Sequence, residues 1–290
     1  EFRRVLFRSC EAALRAAQAG HEVTLMERSS RLGGQLLQAC QVPARQEFRE
    51  LIRFYEESLS AFGVRVLLNT TCTPDVAKEY EQVVVATGGV PNQTELPLEP
   101  DAVPVYTSEQ ILSGAVIAGR QVVVIGGSYI GCFTAQYLSR EGSMSSDELY
   151  YFMAYQADTV EHICQRLNSS DRRVTLLEKN GKIGAGFESG TSWTVLGDLA
   201  RMGVPFLKNT LVTSIDKNGV HALRASQDGK QESLFYPCDC VVVASGVTPD
   251  SGLHKALQEA GIPSVCIGNA NRLGKAIDAI HQGCETGMQI

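Results

Sequence analysis

Residues 121–131, QVVVIGGSYIG, limit most tightly what this chain can fold into. Four consecutive apolar residues, Val122 to Ile125, run into Gly126, Gly127 and Ser128, and Gly131 follows. Helix formers come next, among them Ala135, Gln136 and Leu138. This pattern predicts a buried parallel strand that turns sharply into a helix N-terminus. Such a turn sets backbone N–H groups and the positive end of a helix dipole against a pyrophosphate. The candidate binding residues are therefore Gly126, Gly127, Ser128, Tyr129, Ile130 and Gly131. Ser128 stands at the middle glycine position, where backbone and phosphate would come closest. Taken alone, the stretch also reads as a tight strand–helix turn with no ligand.

Upstream lies the second half of a similar unit. Residues 10–19, CEAALRAAQA, predict an alanine-rich helix, with Gly20 where a helix-ending glycine belongs. Residues 21–27, HEVTLME, predict a strand that ends in an acid, Glu27, placed to accept from a ribose hydroxyl. Counting back, the three glycines of a phosphate loop should fall at positions 4, 6 and 9, which hold Arg4, Leu6 and Ser9. The basic stretch 1–9, EFRRVLFRS, resembles a translated library adapter and is expected to lie outside the fold. A real strand through its apolar Val5, Leu6 and Phe7 is the alternative.

Further along, Gly33 and Gly34 before Gln35 suit close approach of backbone to a ligand, or a plain turn. A long amphipathic helix is expected over 46–61, strands over 64–68 and 83–86, and a short helix over 74–80. The strand 83–86 ends in Ala86, Thr87 and Gly88, which let the chain leave the sheet beside a cofactor or serve a structural turn. The proline-rich stretch 89–104 predicts a crossing between domains. After residue 140 a segment of about thirty residues, 141–172, delays the next strand; its helical, aromatic-rich run could pack on the domain surface, contact a partner or act as a lid. The delayed strand, 174–177, ends in Glu178 as the earlier one ended in Glu27. An acid there favours NADH over NADPH, since it accepts from a 2′-hydroxyl and repels a 2′-phosphate. A β-meander is expected over 206–216, 220–225 and 233–236, then a strand over 241–244. Residues 251–260, 265–268 and 273–288 predict helix, strand and helix, with Asn269 just past the last strand.

VVVATGGVP at residues 83–91 recurs as VVVASGVTP at 241–249. The chain thus carries one plan twice: nucleotide unit, return strand ending in Ala, Thr or Ser, and Gly, then a proline exit. With 290 residues there is room for two domains. The predicted fold class is α/β, two Rossmann-like dinucleotide-binding domains with one inserted in the other. The first takes residues 10–105 and 250–290, the second 106–249. A net charge of −6 with no basic stripe argues against a nucleic-acid partner. No apolar run approaches the roughly 18 residues of a membrane span. Nine scattered cysteines without a C-x-x-C pair suit a reducing cytoplasm and leave no zinc ribbon; Cys238 and Cys240 read as buried small apolar groups.

On ALRAAQAGHEVTLMERSSRLGGQL, VVVATGGVP, VVVIGGSYIG, KIGAGFESGTSW, VVVASGVTP and the closing IGNA and AIHQGCETGMQI, the chain resembles the C-terminal reductase half of the 2,4-dienoyl-CoA reductase/trimethylamine dehydrogenase flavoenzymes. The resemblance implies an FAD-dependent NAD(P)H oxidoreductase module, with FAD in the first domain and NADH or NADPH in the second. It implies that FMN, a 4Fe-4S cluster and the substrate or electron acceptor belong to a separate N-terminal barrel. Residue by residue, Glu27 would hold the FAD ribose, Gly34 and Gln35 its pyrophosphate, and Thr87 and Gly88 would lie near the flavin. Gly126 to Gly131 would cradle the nicotinamide nucleotide's phosphates, Glu178 its ribose, and Gly246 would lie beside it. Asn269 takes a place where relatives often carry an acid toward the flavin side chain, and its amide can still bond a hydroxyl. Two other functions fit the same residues: a stand-alone NADH-dependent flavoprotein reductase, and a nucleotide-binding module without turnover. No histidine or carboxylate pair is singled out as catalytic.

Overall fold

The computed structural model describes residues 7–92, 95–187, 189–225, 230–274 and 276–290. Arg4 and Leu6, at two of the expected glycine positions, lie outside them. The chain divides into two compact units, one running up to Asn92 and resuming at Val247–Ile290, the other filling the sequence between.

The first unit opens with α1 (Phe7–Gln18). Phe7, Arg8 and Ser9, expected to lie outside the fold, form its first turn. The helix closes on Gly20 at φ 97°, with the His21 N–H reaching the Ala16 carbonyl at 3.1 Å, a Schellman-type bond. That closure uses His21, so β1 covers only Thr24–Met26. After the short α2 (Gln35–Ala39), α3 (Phe48–Ala61) buries Ile52, Tyr55 and Leu59, spaced to fall on one helical face. The Tyr55 hydroxyl donates to buried Glu11 of α1 at 2.8 Å and so ties the two helices. β2 (Arg65–Leu67) pairs parallel with β1, and α4 (Pro74–Ala77), capped by the Thr73 hydroxyl, leads to β3 (Val83–Val85) and β4 (Gly89–Pro91).

The second unit starts on β5 (Val105–Thr107) and α5 (Ser108–Leu112), the latter held by a Thr107–Gln110 capping box. β6 (Gln121–Ile125) feeds α6 (Tyr129–Arg140), then come α7 (Ser146–Ala154), α8 (Val160–Leu167), β7 (Arg173–Leu177) and α9 (Ser189–Arg201). β8 (Phe206–Leu207) completes a parallel sheet to which β12 (Cys240–Val243) returns, in the order β5-β12-β6-β7-β8. Between them, β9 (Thr210–Ile215), β10 (Gly219–Ala225) and β11 (Gln231–Pro237) form the antiparallel meander. Residues 206–207 therefore belong to the parallel sheet and not to the meander, because Asn209 at φ 53° breaks the strand there. Val123 and Val241 from the sheet and Ile215 and Val220 from the meander meet in one buried cluster. Cys238 and Cys240 are buried as the sequence suggests.

The first unit resumes with β13 (Val247–Pro249), α10 (Gly252–Glu259), β14 (Ser264–Cys266), a 3-10 turn at Gly268–Ala270 and α11 (Ala276–Gln289). β14 pairs parallel with β3. β13 pairs antiparallel with β4, Val247 opposite Pro91, so the two proline exits of the repeat meet each other. This pairing moves the unit boundary to 246/247 from the expected 249/250. The other boundary moves from 105/106 to 92/93. Leu98 bridges Ile215, the Val103 N–H bonds the Asp216 carbonyl, and the proline-rich stretch lies along the second unit's meander.

The repeat extends into hydrogen bonds. Glu27 N–H meets the Leu67 carbonyl and the Glu27 carbonyl accepts from Thr70; Glu178 does the same with Leu207 and Thr210, every bond at 2.9 Å. Asn69 (φ 52°) and Asn209 (φ 53°) make the matching left-handed turns, a conformation asparagine tolerates.

Two features of the packing set expectations. A Cβ on Gly287 would overlap the Ala12 carbonyl, and one on Gly283 would lie 2.7 Å from that of Arg8. α11 thus meets α1 backbone to backbone, and Gly287→Leu should destabilise the fold by about 3 kcal/mol, read as a drop in the thermal midpoint. In the second unit, buried Asp198 accepts from Gln136 at 2.8 Å and pairs with Arg140 and Arg201. Burial pushes its pKa up, but the bonds from Arg140 and Gln136 outweigh that and leave it below the usual carboxylate value. A lowered folded pKa gives stability that is complete above the unfolded value, about 3.9, and is lost as pH falls through the folded one. Asp198→Asn should cost about 3 kcal/mol at pH 7, with the gap to the parent protein closing in strong acid when unfolding is followed against pH.

Candidate functional site

In the second unit β7 and β8 follow β6 to one side and β12 lies on its other side, so the strand order reverses at β6. A crevice at such a switch point is where open α/β sheets take ligands. Three glycines make the turn there. Gly126 has φ 110°, and a Cβ on it would sit 2.7 Å from the Ala244 carbonyl. A Cβ on Gly127 would lie 2.6 Å from Ile183 Cδ1 and 2.8 Å from Glu178 Cβ, and one on Gly131 would overlap the Gly126 carbonyl. Ser128 is the N-cap of α6, yet its side chain makes no capping bond, and its buried Oγ has no partner among the described residues.

Glu178 follows β7 and is buried. Its Oε2 accepts from the Gly127 N–H at 2.6 Å and its Oε1 from the Asn180 N–H at 2.7 Å. A carboxylate offers about four acceptor sites, so two remain. The acid, the turn and the strand ends are therefore one hydrogen-bonded assembly. Gly246 lies just beyond β12, two residues after the Ala244 that abuts Gly126 and Gly131.

The glycine-rich loop after Glu178, which sequence reasoning did not bring to the turn, completes the assembly. The Gly184 N–H donates to the Gly127 carbonyl at 2.6 Å, and the Ala185 carbonyl accepts from the Tyr129 N–H at 3.0 Å. Tyr129, Phe133 and Phe187 pack edge to face, with centroids 5.1 to 6.4 Å apart. Glycines at 181, 184 and 186 after the acid were the available signal. Gly127 and Tyr129 thus spend their amides on the protein, while the Ile130 and Gly131 N–H groups, in the first turn of α6, have no backbone partner among the described residues. Burial pushes the adjacent Cys132 thiol up to about 12, so it is no nucleophile at neutral pH.

In the first unit Glu27 is half-buried and its Oε1 accepts from the Ser29 N–H at 2.8 Å. Gly34, at φ 44°, is the N-cap of α2, and Gln35 starts that helix. The Thr87 hydroxyl donates to the Asp250 carbonyl at 2.7 Å, and Gly88, at φ 84°, has open space where a Cβ would be. Asn269 is buried, its Oδ1 accepting from the Gly274 N–H at 3.0 Å and from Arg8 Nη1 at 3.4 Å. That amide oxygen is therefore engaged by the protein.

The two units fit their expected cofactors unequally. At the second, the narrow turn, the first-turn amides of α6 and the unused acceptor sites of Glu178 suit a dinucleotide. At the first, Glu27 suits a ribose, but the first turn of α1 carries Arg8, and a Cβ on Gly268 would overlap that side chain. Arg8 is 3% exposed; burial lowers its pKa, offset in part by Asp278. A pyrophosphate needs small residues where helix and strand end meet, so the residues present at the first unit do not fit that part of FAD.

Residues 9–265 match the family described as pyridine nucleotide-disulphide oxidoreductase. The metal reductase of Desulforamulus reducens is 33% identical over 278 residues, 94% of this chain and 41% of that protein. The structure of a 2-naphthoyl-CoA reductase superposes with a TM-score of 0.78 at 28% identity, covering 97% of this chain and 38% of that one. Thioredoxin reductase of T. acidophilum shares the fold, with a TM-score of 0.62 at 14% identity over 97% of this chain and 93% of its own. The chain spans about two fifths of the first two. By its sequence match and its two Rossmann-like domains, it belongs to the pyridine nucleotide-disulphide oxidoreductase family.

Proposed function

We propose that the chain is the nicotinamide-nucleotide-binding reductase module of a flavin-dependent NAD(P)H oxidoreductase, and that its second unit holds NADH. The observation that carries this is the glycine turn at the sheet's switch point with the Glu178 carboxylate bonded to Gly127. Bound NADH supplies the hydride, and the protein's task is to position it. Gly126, Gly127 and Gly131 let the backbone approach the phosphates, and the Ile130 and Gly131 amides and the α6 dipole face them. Ser128 and Tyr129 frame the turn. Glu178 accepts from the adenosine ribose, and Gly246 lies toward the nicotinamide.

The whole protein would use these electrons on a small-molecule substrate of the enoate or 2,4-dienoyl-CoA type, in an N-terminal domain that would hold FMN and a 4Fe-4S cluster, with FAD the carrier the family implies. The reductase names of the relatives support this reading. For the first unit it assigns Glu27, Gly34, Gln35, Thr87, Gly88 and Asn269 to the FAD side, where the Arg8 side chain lies against Gly268. That same observation favours a second reading, nucleotide binding without turnover. Scattered free cysteines and an acidic balance suit a cytoplasmic protein without a nucleic-acid partner. Among the described residues no helix is long and apolar enough to cross a membrane.

Calorimetric titration tests the cofactor assignment. NADH should bind about tenfold or more tighter than NADPH, because a 2′-phosphate would face Glu178. Glu178→Gln should narrow that gap; equal affinity of the parent protein for both would refute the assignment. Ser128→Gly removes a buried hydroxyl without a partner and widens the turn, so NADH affinity should rise about threefold or more. An unchanged or weaker affinity would show that Ser128 does not restrict the site.

A further inference from the structure

The surroundings of Arg8 are unusual for a cation. Its Nε has no hydrogen-bond partner among the described residues, and Nη1 reaches only as far as Asn269 at 3.4 Å. Two glycines stand against the guanidinium. A Cβ on Gly268 would overlap it, and one on Gly274 would lie 3.4 Å from Nη2. Gly268, at φ 69°, begins the turn that leads to the 14-residue α11. The side chain also springs from the first turn of the 12-residue α1. The guanidinium is thus buried close to the first described turns of α1 and α11, although the positive end of a helix dipole favours an anion. Asp278, in the first turn of α11, faces the same group and eases the conflict. A cradle of glycines and helix N-termini is suited to phosphate and poorly suited to a guanidinium with an unpaired N–H.

We propose that Arg8 closes the first unit to its dinucleotide: its side chain fills an anion cradle formed by Gly268, Asn269, Gly274 and the start of α11, and FAD enters only when that side chain is shortened. The proposal rests on the reading of the first unit as a dinucleotide domain and is independent of whether the second holds NADH. The side chain acts by bulk, so charge removal alone does not open the cradle.

Flavin fluorescence titration of the parent chain, Arg8→Ala and Arg8→Met tests this, with NADH titrated in parallel and folding followed by circular dichroism. The parent and Arg8→Met should leave FAD unquenched, while Arg8→Ala should bind it about tenfold or more tighter. NADH affinity should be the same in all three. Tight FAD binding by the parent, below about 10 µM, overturns the proposal whatever the variants do. So does a folded Arg8→Ala with no gain, or an Arg8→Met as open as Arg8→Ala. Loss of NADH binding throughout, with the FAD pattern intact, would instead refute the assignment of the second unit.

Discussion

The second unit depends on how closely the ends of β6 and β12 approach. Val124 stands opposite Val242 and Ile125 opposite Val243, and one residue later Gly126 packs on the Ala244 carbonyl. Any Cβ there would prise the strands apart at the point where the chain must turn into α6. The contact also sets the direction of the Gly127 N–H, which reaches Glu178 across the β6–β7 boundary. Glu178 in turn receives Asn180, and the following loop lays Gly184 and Ala185 onto the turn. A single close approach thus organises the glycine turn, the acid and the loop above them.

The insertion between α6 and β7 leaves that assembly undisturbed because it is tied at its base. Arg172 pairs with Glu141 and donates to the carbonyls of Ala118 and Gly119, and the Ser170 hydroxyl donates to the Glu141 carbonyl. Both ends of the insertion are therefore held at one place, and Arg173 enters β7 in register with Gln121. None of α7's residues is buried. The entropy of closing a longer loop grows only slowly with its length, so such a segment can lengthen the chain at little cost to the sheet.

Much of this was legible in residue order. A run of β-branched residues ending in glycines has few other structural uses, and an acid at the end of the next strand falls beside it by the geometry of a parallel sheet. The repeat of VVVATGGVP was visible for the same reason. The fate of individual amides was not visible: Ala185 caps Tyr129 through a main-chain carbonyl, which has no side-chain signature. Prolines at 97, 100 and 104 suggested a free crossing, yet proline keeps its carbonyl, and that of Pro97 accepts from the Ile215 N–H. The matching Asn69 and Asn209 were within reach of sequence reasoning, since each precedes a threonine whose hydroxyl turns back to the carbonyl two residues before it.

The two acids show how far a repeat can be carried over as function. Glu27 accepts from the N–H of Ser29, and Glu178 accepts from that of Asn180, so each is held by the amide two residues on. This bond forms from local backbone geometry and needs no ligand. Glu178 differs in having its second oxygen tied to the glycine turn, whereas in the first unit the corresponding helix start carries Arg8. An acid at a strand end therefore marks a nucleotide fold without showing that its site is open. The two units differ at the helix N-terminus: Gly131 keeps side-chain atoms away from the Gly126 carbonyl, whereas Arg8 lays a buried guanidinium against Gly268.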